Sequence, residues 1–185
     1  MAETFNPITG MAGKDNMGGF KNYVLWIPKN AVSAVPELPA ASAIVDDADY
    51  VTASGAFVFK DAVNGKPVYF EATKNSVKCE ATNQGEDEGQ SFAVAGEFGR
   101  AGSKAEYAAF ARKYNNTLGY LVIEDMDGRQ ILVGQKHLEV ALKPAYVGGQ
   151  APADRRGYTV AFATDSVAPV VYLETPIDVD DLIPA

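Results

Sequence analysis

The sequence contains a single cysteine, Cys79, and a single histidine, His137. One cysteine excludes an intramolecular disulfide framework and indicates a reducing compartment. Cys79 is in phase with apolar neighbours in a predicted strand, so we expect a small buried core residue, since a nucleophilic thiol needs exposure and a nearby cation or base. His137 has no second histidine with which to form a metal site or an acid–base pair, and we expect it to be a solvated surface side chain.

Basic residues and long apolar runs are also scarce. Sixteen Lys and Arg stand against 24 Asp and Glu, which gives a net charge of −8, whereas nucleic-acid binding depends largely on clustered Lys and Arg. No apolar run approaches the roughly 18–20 residues that a membrane span needs. The first residues lack the charged-then-apolar pattern of a signal peptide. We therefore expect a protein that is made in the cytoplasm and binds neither nucleic acid nor membrane.

Motifs that carry catalytic or metal chemistry are missing as well. The sequence has no P-loop, no dinucleotide-binding glycine fingerprint and no Gly-x-Ser-x-Gly element. Asp125, Asp127 and Gly128 resemble the start of a calcium loop, but the position of its bidentate glutamate is occupied by Lys136. An acidic run at Glu86–Glu88 is more typical of a solvated loop than of a cation site. The sequence thus predicts no enzyme activity, no cofactor and no metal.

The residues that are present predict one mostly-β domain between two extended arms. Residues 1–19 are rich in glycine and small residues and predict a flexible N-terminal arm, whereas residues 175–185 predict an extended acidic tail. The domain over residues 20–174 begins with an apolar run at Tyr23–Ile27, which ends at Pro28 and indicates a buried strand. Further strands are predicted at Ala53–Lys60, Tyr120–Glu124, Gln130–Gly134, His137–Lys143 and Tyr158–Phe162.

A long β-hairpin is the clearest pattern. Val77, Cys79 and Ala81 alternate with polar residues that would line the opposite face, and the alternation resumes at Phe92 and Val94. Between the two strands lies the polar loop Asn83–Gln90, which is longer than most hairpin loops.

One helix is predicted over about 103–115. Ser103 and Glu106 have the spacing of a capping box, and an apolar stripe follows at helical spacing. Eight to ten strands with one helix bury their apolar faces best as an antiparallel β-sandwich or a partly closed barrel with the helix packed on it.

This order of features resembles that of tailed-phage tail tube proteins, particularly those of phages and prophages of Bacteroidetes hosts. The matching features are a glycine-containing arm and first strand at Gly18–Trp26, the hairpin Val77–Phe98 with the helix after it, a hairpin at Glu124–Gly134 (EDMDGRQILVG), and a strand at Arg155–Phe162 (RRGYTVAF). The resemblance covers most of residues 18–172 and rests on the order of these elements.

The resemblance implies a virion protein whose subunits form hexameric rings that stack into a DNA-conducting tube. The expected partners are other copies of the chain and other virion proteins, and DNA would pass without being bound. An inter-ring stacking loop would comprise Gln84, Gly85, Glu86, Asp87, Glu88 and Gly89. A lumen-facing strand would present Lys78, Glu80 and Thr82. The arms would contact neighbouring subunits through Met11, Met17, Ile177, Val179 and Leu182.

Other functions remain open at this point. A tail terminator, a head–tail connector or a head decoration protein would suit the same fold and arms. A carbohydrate-binding module would need exposed aromatic residues on one face, for which Tyr107, Tyr114 and Tyr120 are the nearest candidates, although the helical stripe explains the first two as core residues. An enzyme would have to rely on carboxylates alone, as glycoside hydrolases do, and no pair of them stands out.

Overall fold

In the computed structural model the described residues are 8, 10, 17–61, 63, 65–151 and 153–183. Strands comprise 45% of the structure and helices 14%, which confirms the mostly-β class. The elements are β1 (Phe20–Pro28), β2 (Val32–Ala34), β3 (Thr52–Ala53), β4 (Val58–Phe59), β5 (Val68–Glu71), β6 (Lys78–Gln84), β7 (Ser91–Ala101), α1 (Ala105–Tyr114), β8 (Leu118–Asp125), β9 (Gln130–Val133), β10 (Val140–Val147), β11 (Gly157–Ser166) and β12 (Tyr172–Leu173). Short 3-10 helices lie at Lys29–Ala31, Ala41–Ala43, Asp47–Val51 and Asp180–Leu182.

The main sheet curls into a half-barrel, which confirms the partly closed barrel of the two predicted forms. Its strand order is β3-β12-β9-β8-β10-β11-β7-β6, with β1 paired to the other side of β8 and β5 paired to β1. The sheet forks at the start of β8, because Gly119 pairs with Val140 of β10 whereas Leu121 pairs with Val133 of β9. The strands β2 and β4 form a separate two-stranded sheet.

The strands β1 and β8 lie between two hydrophobic cores, which explains their unbroken apolar sequences. Val24 and Trp26 face the core inside the half-barrel, whereas Leu25 and Ile27 face a second core on the outside. All four side chains are fully buried. The outer core is covered by the irregular segment around β2–β4 and by the C-terminal tail. A strand that is buried on both faces loses the alternation of polar and apolar residues, so the prediction of a buried strand here is confirmed.

The helix α1 packs on the inner core through the predicted stripe. Phe110 contacts Phe70 with ring centroids 5.0 Å apart, and Tyr114 contacts Trp26 at 6.2 Å. The predicted capping box is wrong. The N-cap is Lys104, and no side chain caps the first turn, because the chain starts the helix one residue later than the Ser103–Glu106 spacing requires.

Two other sequence predictions need correction. The single strand expected at Ala53–Lys60 is two two-residue strands, β3 and β4, because Gly55 adopts a φ of 87° between them. The strand expected from His137 begins at Val140, since His137 has a φ of 70° in a turn. The sequence pair Asn64-Gly65 is typical of a tight turn, but Asn64 lies outside the described residues. Within the described residues there are twelve strands, more than the eight to ten predicted, since several are very short.

No helix among the described residues combines the length and apolarity needed to cross a membrane.

Candidate assembly surfaces

The β6–β7 hairpin is built as the sequence predicts, but its loop is shorter. Pairing continues to Gln84 and Ser91, so the loop is Gly85–Gln90, here called the tip loop. It has six residues instead of the eight expected, because Asn83 and Gln84 continue the alternating pairing of β6. The Gln84 amide fixes the base of the loop by donating to Ser91 Oγ at 3.2 Å and to Asp165 Oδ1 at 2.7 Å.

Local backbone geometry defines the conformation of the tip loop. Gly89 N donates to Glu86 O at 3.0 Å, which closes a tight turn. Gly85 has a φ of 98°, and a Cβ there would lie 2.5 Å from the Gly89 carbonyl oxygen. Glycine is therefore required at this position. The turn exposes three successive carboxylates, Glu86, Asp87 and Glu88, which we call the acidic tip.

The strand β6 has two different faces, as predicted. Lys78, Glu80 and Thr82 are exposed, whereas Cys79 and Ala81 pack against the inner core. Lys78 and Glu80 form an ion pair on the exposed face at 3.1 Å. Whether this face lines a lumen stays a prediction.

Cys79 lies at the edge of the inner core, half-buried beside a cavity of about 140 Å³. Burial, with a smaller contribution from Glu80, raises the pKa of its thiol to about 11 from 9.0. The thiol is thus neutral at physiological pH, which does not suit a nucleophile.

This raised pKa predicts that the Cys79 thiol reacts slowly with disulfide reagents. At pH 8 we expect Ellman's reagent to react with the native protein about 100-fold more slowly than with the unfolded chain, because two pKa units lower the thiolate fraction by that factor. The native rate should increase as the pH rises towards 11, and Cys79→Ser should not react. Equal rates for native and unfolded protein at pH 8 would contradict the burial of this side chain.

The two terminal segments differ in whether they pack on their own subunit. Met17 is exposed and lies two residues before Gly19, which has a φ of 102°. Met11 lies outside the described residues. In contrast, the C-terminal tail packs on its own subunit, where Ile177, Val179 and Leu182 contact the outer core.

A reciprocal pair of hydrogen bonds fixes this tail. The Gln130 side chain donates to Ile177 O at 2.8 Å and accepts from Ile177 N at 2.7 Å. Gln130 is itself buried. The tail is therefore bound to β9 along this stretch, and its contact with neighbouring subunits stays a prediction.

The residues considered for metal or acid–base chemistry lie apart. His137 is exposed in its turn. Asp125 accepts from the backbone N of Arg129 at 2.8 Å and forms an ion pair with its guanidinium at 3.2 Å, so this segment is a hairpin turn. No cluster of three or more His, Cys, Asp or Glu suited to a metal ion occurs in the described part of the chain.

Sequence reasoning missed that Tyr107, Tyr146 and Tyr158 lie together as what we call the tyrosine patch, in which Tyr146 is exposed and the other two are half-buried. The rings of Tyr146 and Tyr158 are 4.9 Å apart, and Tyr158 lies 6.3 Å from Tyr107. Tyr146 and Tyr158 are direct partners in the β10–β11 pairing, so a correct hairpin register would have predicted their contact. The other two tyrosines considered at first, Tyr114 and Tyr120, are buried.

Comparison of the chain with protein-family models, with curated proteins and with solved structures found no match.

Proposed function

We propose that this chain is a virion structural protein, a tail tube subunit that forms rings and stacks of rings through which DNA passes. The observation that supports this most is the free edge of the curled sheet at β6. It is seven residues long and pairs with β7 alone among the strands of the described chain.

A free edge strand favours assembly for a simple physical reason. Alternate residues of β6 direct their backbone N–H and C=O groups away from β7, and these groups gain partners when another strand is added. The pairing of β6 with β7 is regular from Lys78 to Gln84, and β6 contains no proline. When the edge of one copy pairs with a different surface of the next, the contact is heterologous and forms a ring or a filament.

The charges of the chain support passage of DNA. The exposed side chains of β6 are Lys78, Glu80 and Thr82, and the two charged ones are already paired with each other. The whole chain carries a net charge of −8. A wall of this kind repels phosphates or leaves them unbound. The tip loop at the end of the same hairpin is placed to contact a copy in the next ring.

The test is the size of the purified protein in solution. Multi-angle light scattering across a concentration series, with negative-stain images of any large species, should show rings of about six subunits or hollow tubes. A terminator or connector would stop at a single ring, and a head decoration protein would bind only preformed capsids. A protein that stays monomeric and that tail-hub and capsid preparations also fail to recruit would refute a structural role in the virion.

Stacking has a separate test. Replacing the tip loop, Gly85–Gln90, by a two-residue Asn-Gly turn shortens the hairpin and keeps the pairing of Gln84 with Ser91. We expect rings to persist and tubes to disappear, with an unchanged circular dichroism spectrum. Tubes of normal length from this variant would show that the tip loop does not contribute to stacking.

A carbohydrate-binding module is the second candidate, and the tyrosine patch favours it. Exposed aromatic rings stack on apolar sugar faces, and Arg100 Nε donates to Tyr107 Oη at 3.2 Å beside them. A glycan array, with Tyr146→Ala as the control, distinguishes the two functions. Glycan binding that this substitution abolishes would favour the module over the tube subunit.

A further inference from the structure

A pocket rich in lysine lies between the end of β1, the segment that follows β4 and the end of α1. Its volume is about 470 Å³. Among its lining residues are Lys60, Lys66 and Lys113, which together with the single carboxylate of Asp61 define what we call the lysine pocket. Three positive charges and one negative charge leave the pocket positive in a chain whose net charge is −8.

The three ammonium groups have no strong partners among the described residues. Lys66 Nζ donates to the backbone oxygen of Asp181 at 3.5 Å, and Lys113 Nζ lies 5.2 Å from the ring centroid of Tyr114. None of the ion pairs found among the described residues uses Lys60, Lys66 or Lys113. All three side chains are exposed, so they can bind a carboxylate of another molecule.

The acidic tip has complementary properties. Glu86, Asp87 and Glu88 are exposed, take part in none of these ion pairs, and are held in a defined turn by the Gly89–Glu86 hydrogen bond. No residue of the β6–β7 hairpin lines the lysine pocket. Because Gln84 anchors the base of the loop to Ser91 and Asp165, the tip cannot swing far from its own strands. An acidic tip that docks in the lysine pocket must therefore belong to another molecule.

We propose that the acidic tip of one copy docks in the lysine pocket of a second copy. This inference rests on the proposed function, because it identifies the surface that the tip loop would contact when copies stack. Three carboxylates against three ammonium groups favour this pairing, since two acidic tips would repel each other. The contact joins two different surfaces and can repeat from copy to copy.

Paired charge reversals test this directly. The tip-reversed protein carries Glu86→Lys, Asp87→Lys and Glu88→Lys, and the pocket-reversed protein carries Lys60→Glu, Lys66→Glu and Lys113→Glu. A control carries Lys74→Glu, Lys104→Glu and Lys143→Glu, three exposed lysines outside the pocket. Association is measured by sedimentation velocity in about 50 mM and about 500 mM NaCl, and circular dichroism checks that each variant is folded.

We expect each reversal to weaken self-association by about 100-fold, while the control leaves it nearly unchanged. Mixing the tip-reversed and pocket-reversed proteins should restore association, because their charges are complementary again. Raising the NaCl concentration should weaken the wild-type contact.

The outcomes separate this inference from the proposed function. Rings or tubes that form normally with both reversals would overturn the docking contact and leave the tube function intact. Weakening by the pocket reversal alone would show that the lysine pocket has another occupant, which also overturns the pairing. A wild-type protein that is strictly monomeric at low salt overturns the contact too, and recruitment by tail hubs then decides the tube function separately.

Discussion

Replacing Gly96 by alanine is expected to lower the free energy of unfolding by about 1–3 kcal/mol. Gly96 lies in β7 between β6 and β11, opposite Cys79 on one side and Phe162 on the other. A Cβ at this position would lie 2.0 Å from the Lys78 carbonyl oxygen and 2.6 Å from Cζ of Phe162. The first of these atoms is backbone, so β6 must move away from β7 to make room.

The matched control is Gly89→Ala in the same hairpin. There a Cβ would lie 3.7 Å from the Glu86 carbonyl oxygen, an ordinary contact, and the backbone φ is not positive. We expect a change within about 0.5 kcal/mol. Urea unfolding followed by the fluorescence of Trp26, the one tryptophan of the chain, measures both variants. Equal midpoints would mean that the strands are farther apart than the structure places them. If β6 also joins neighbouring subunits, Gly96→Ala should reduce assembly as well.

The sequence predicted the elements of the fold wherever one residue pattern decided them. The period-2 alternation around Cys79 has a single solution, with Cys79 inside and Lys78 and Glu80 outside, and the structure agrees. The unbroken apolar run Tyr23–Ile27 could have been only a buried strand, because it is short and ends at Pro28. The helical stripe at Phe110 and Tyr114 was equally clear.

The failures come from positions where distant contacts decide the structure. Gly55 and His137 adopt left-handed backbone conformations inside segments whose composition favours strands. The capping-box spacing at Ser103 was present, yet the chain enters α1 at Lys104, so local chemistry did not decide the start of the helix. The forked sheet at Gly119 depends on pairing between residues far apart in sequence, which no local pattern encodes.

The candidate surfaces also differ in whether local sequence or distant contacts determine them. The acidic tip is a contiguous run and was found from the sequence. The lysine pocket joins Lys60 and Lys66, from the segment that follows β4, to Lys113 of α1, and the tyrosine patch joins α1 to β10 and β11. Such sites become visible only when the register between strands is known.

Replacing Trp26 by alanine should have the largest effect of any single substitution, a loss of about 3–5 kcal/mol in the free energy of unfolding. Trp26 is fully buried in the inner core and contacts the Tyr114 ring of α1. Its ring also packs on Gly119, where a Cβ would lie within 2.7 Å of an indole carbon. Removing the indole therefore loosens β1, β8 and α1 together and leaves a cavity at the fork of the sheet.

The control Trp26→Phe separates volume from polarity. The indole Nε1 is buried and has no hydrogen-bond acceptor among the described residues, so phenylalanine removes no hydrogen bond and only part of the ring. We expect it to cost less than half as much as alanine, because the destabilisation scales with the volume left empty. Circular dichroism in urea measures both variants, since each lacks the only tryptophan. An equal loss for the two would contradict this scaling, because phenylalanine leaves a smaller cavity than alanine and both variants lack the indole N–H.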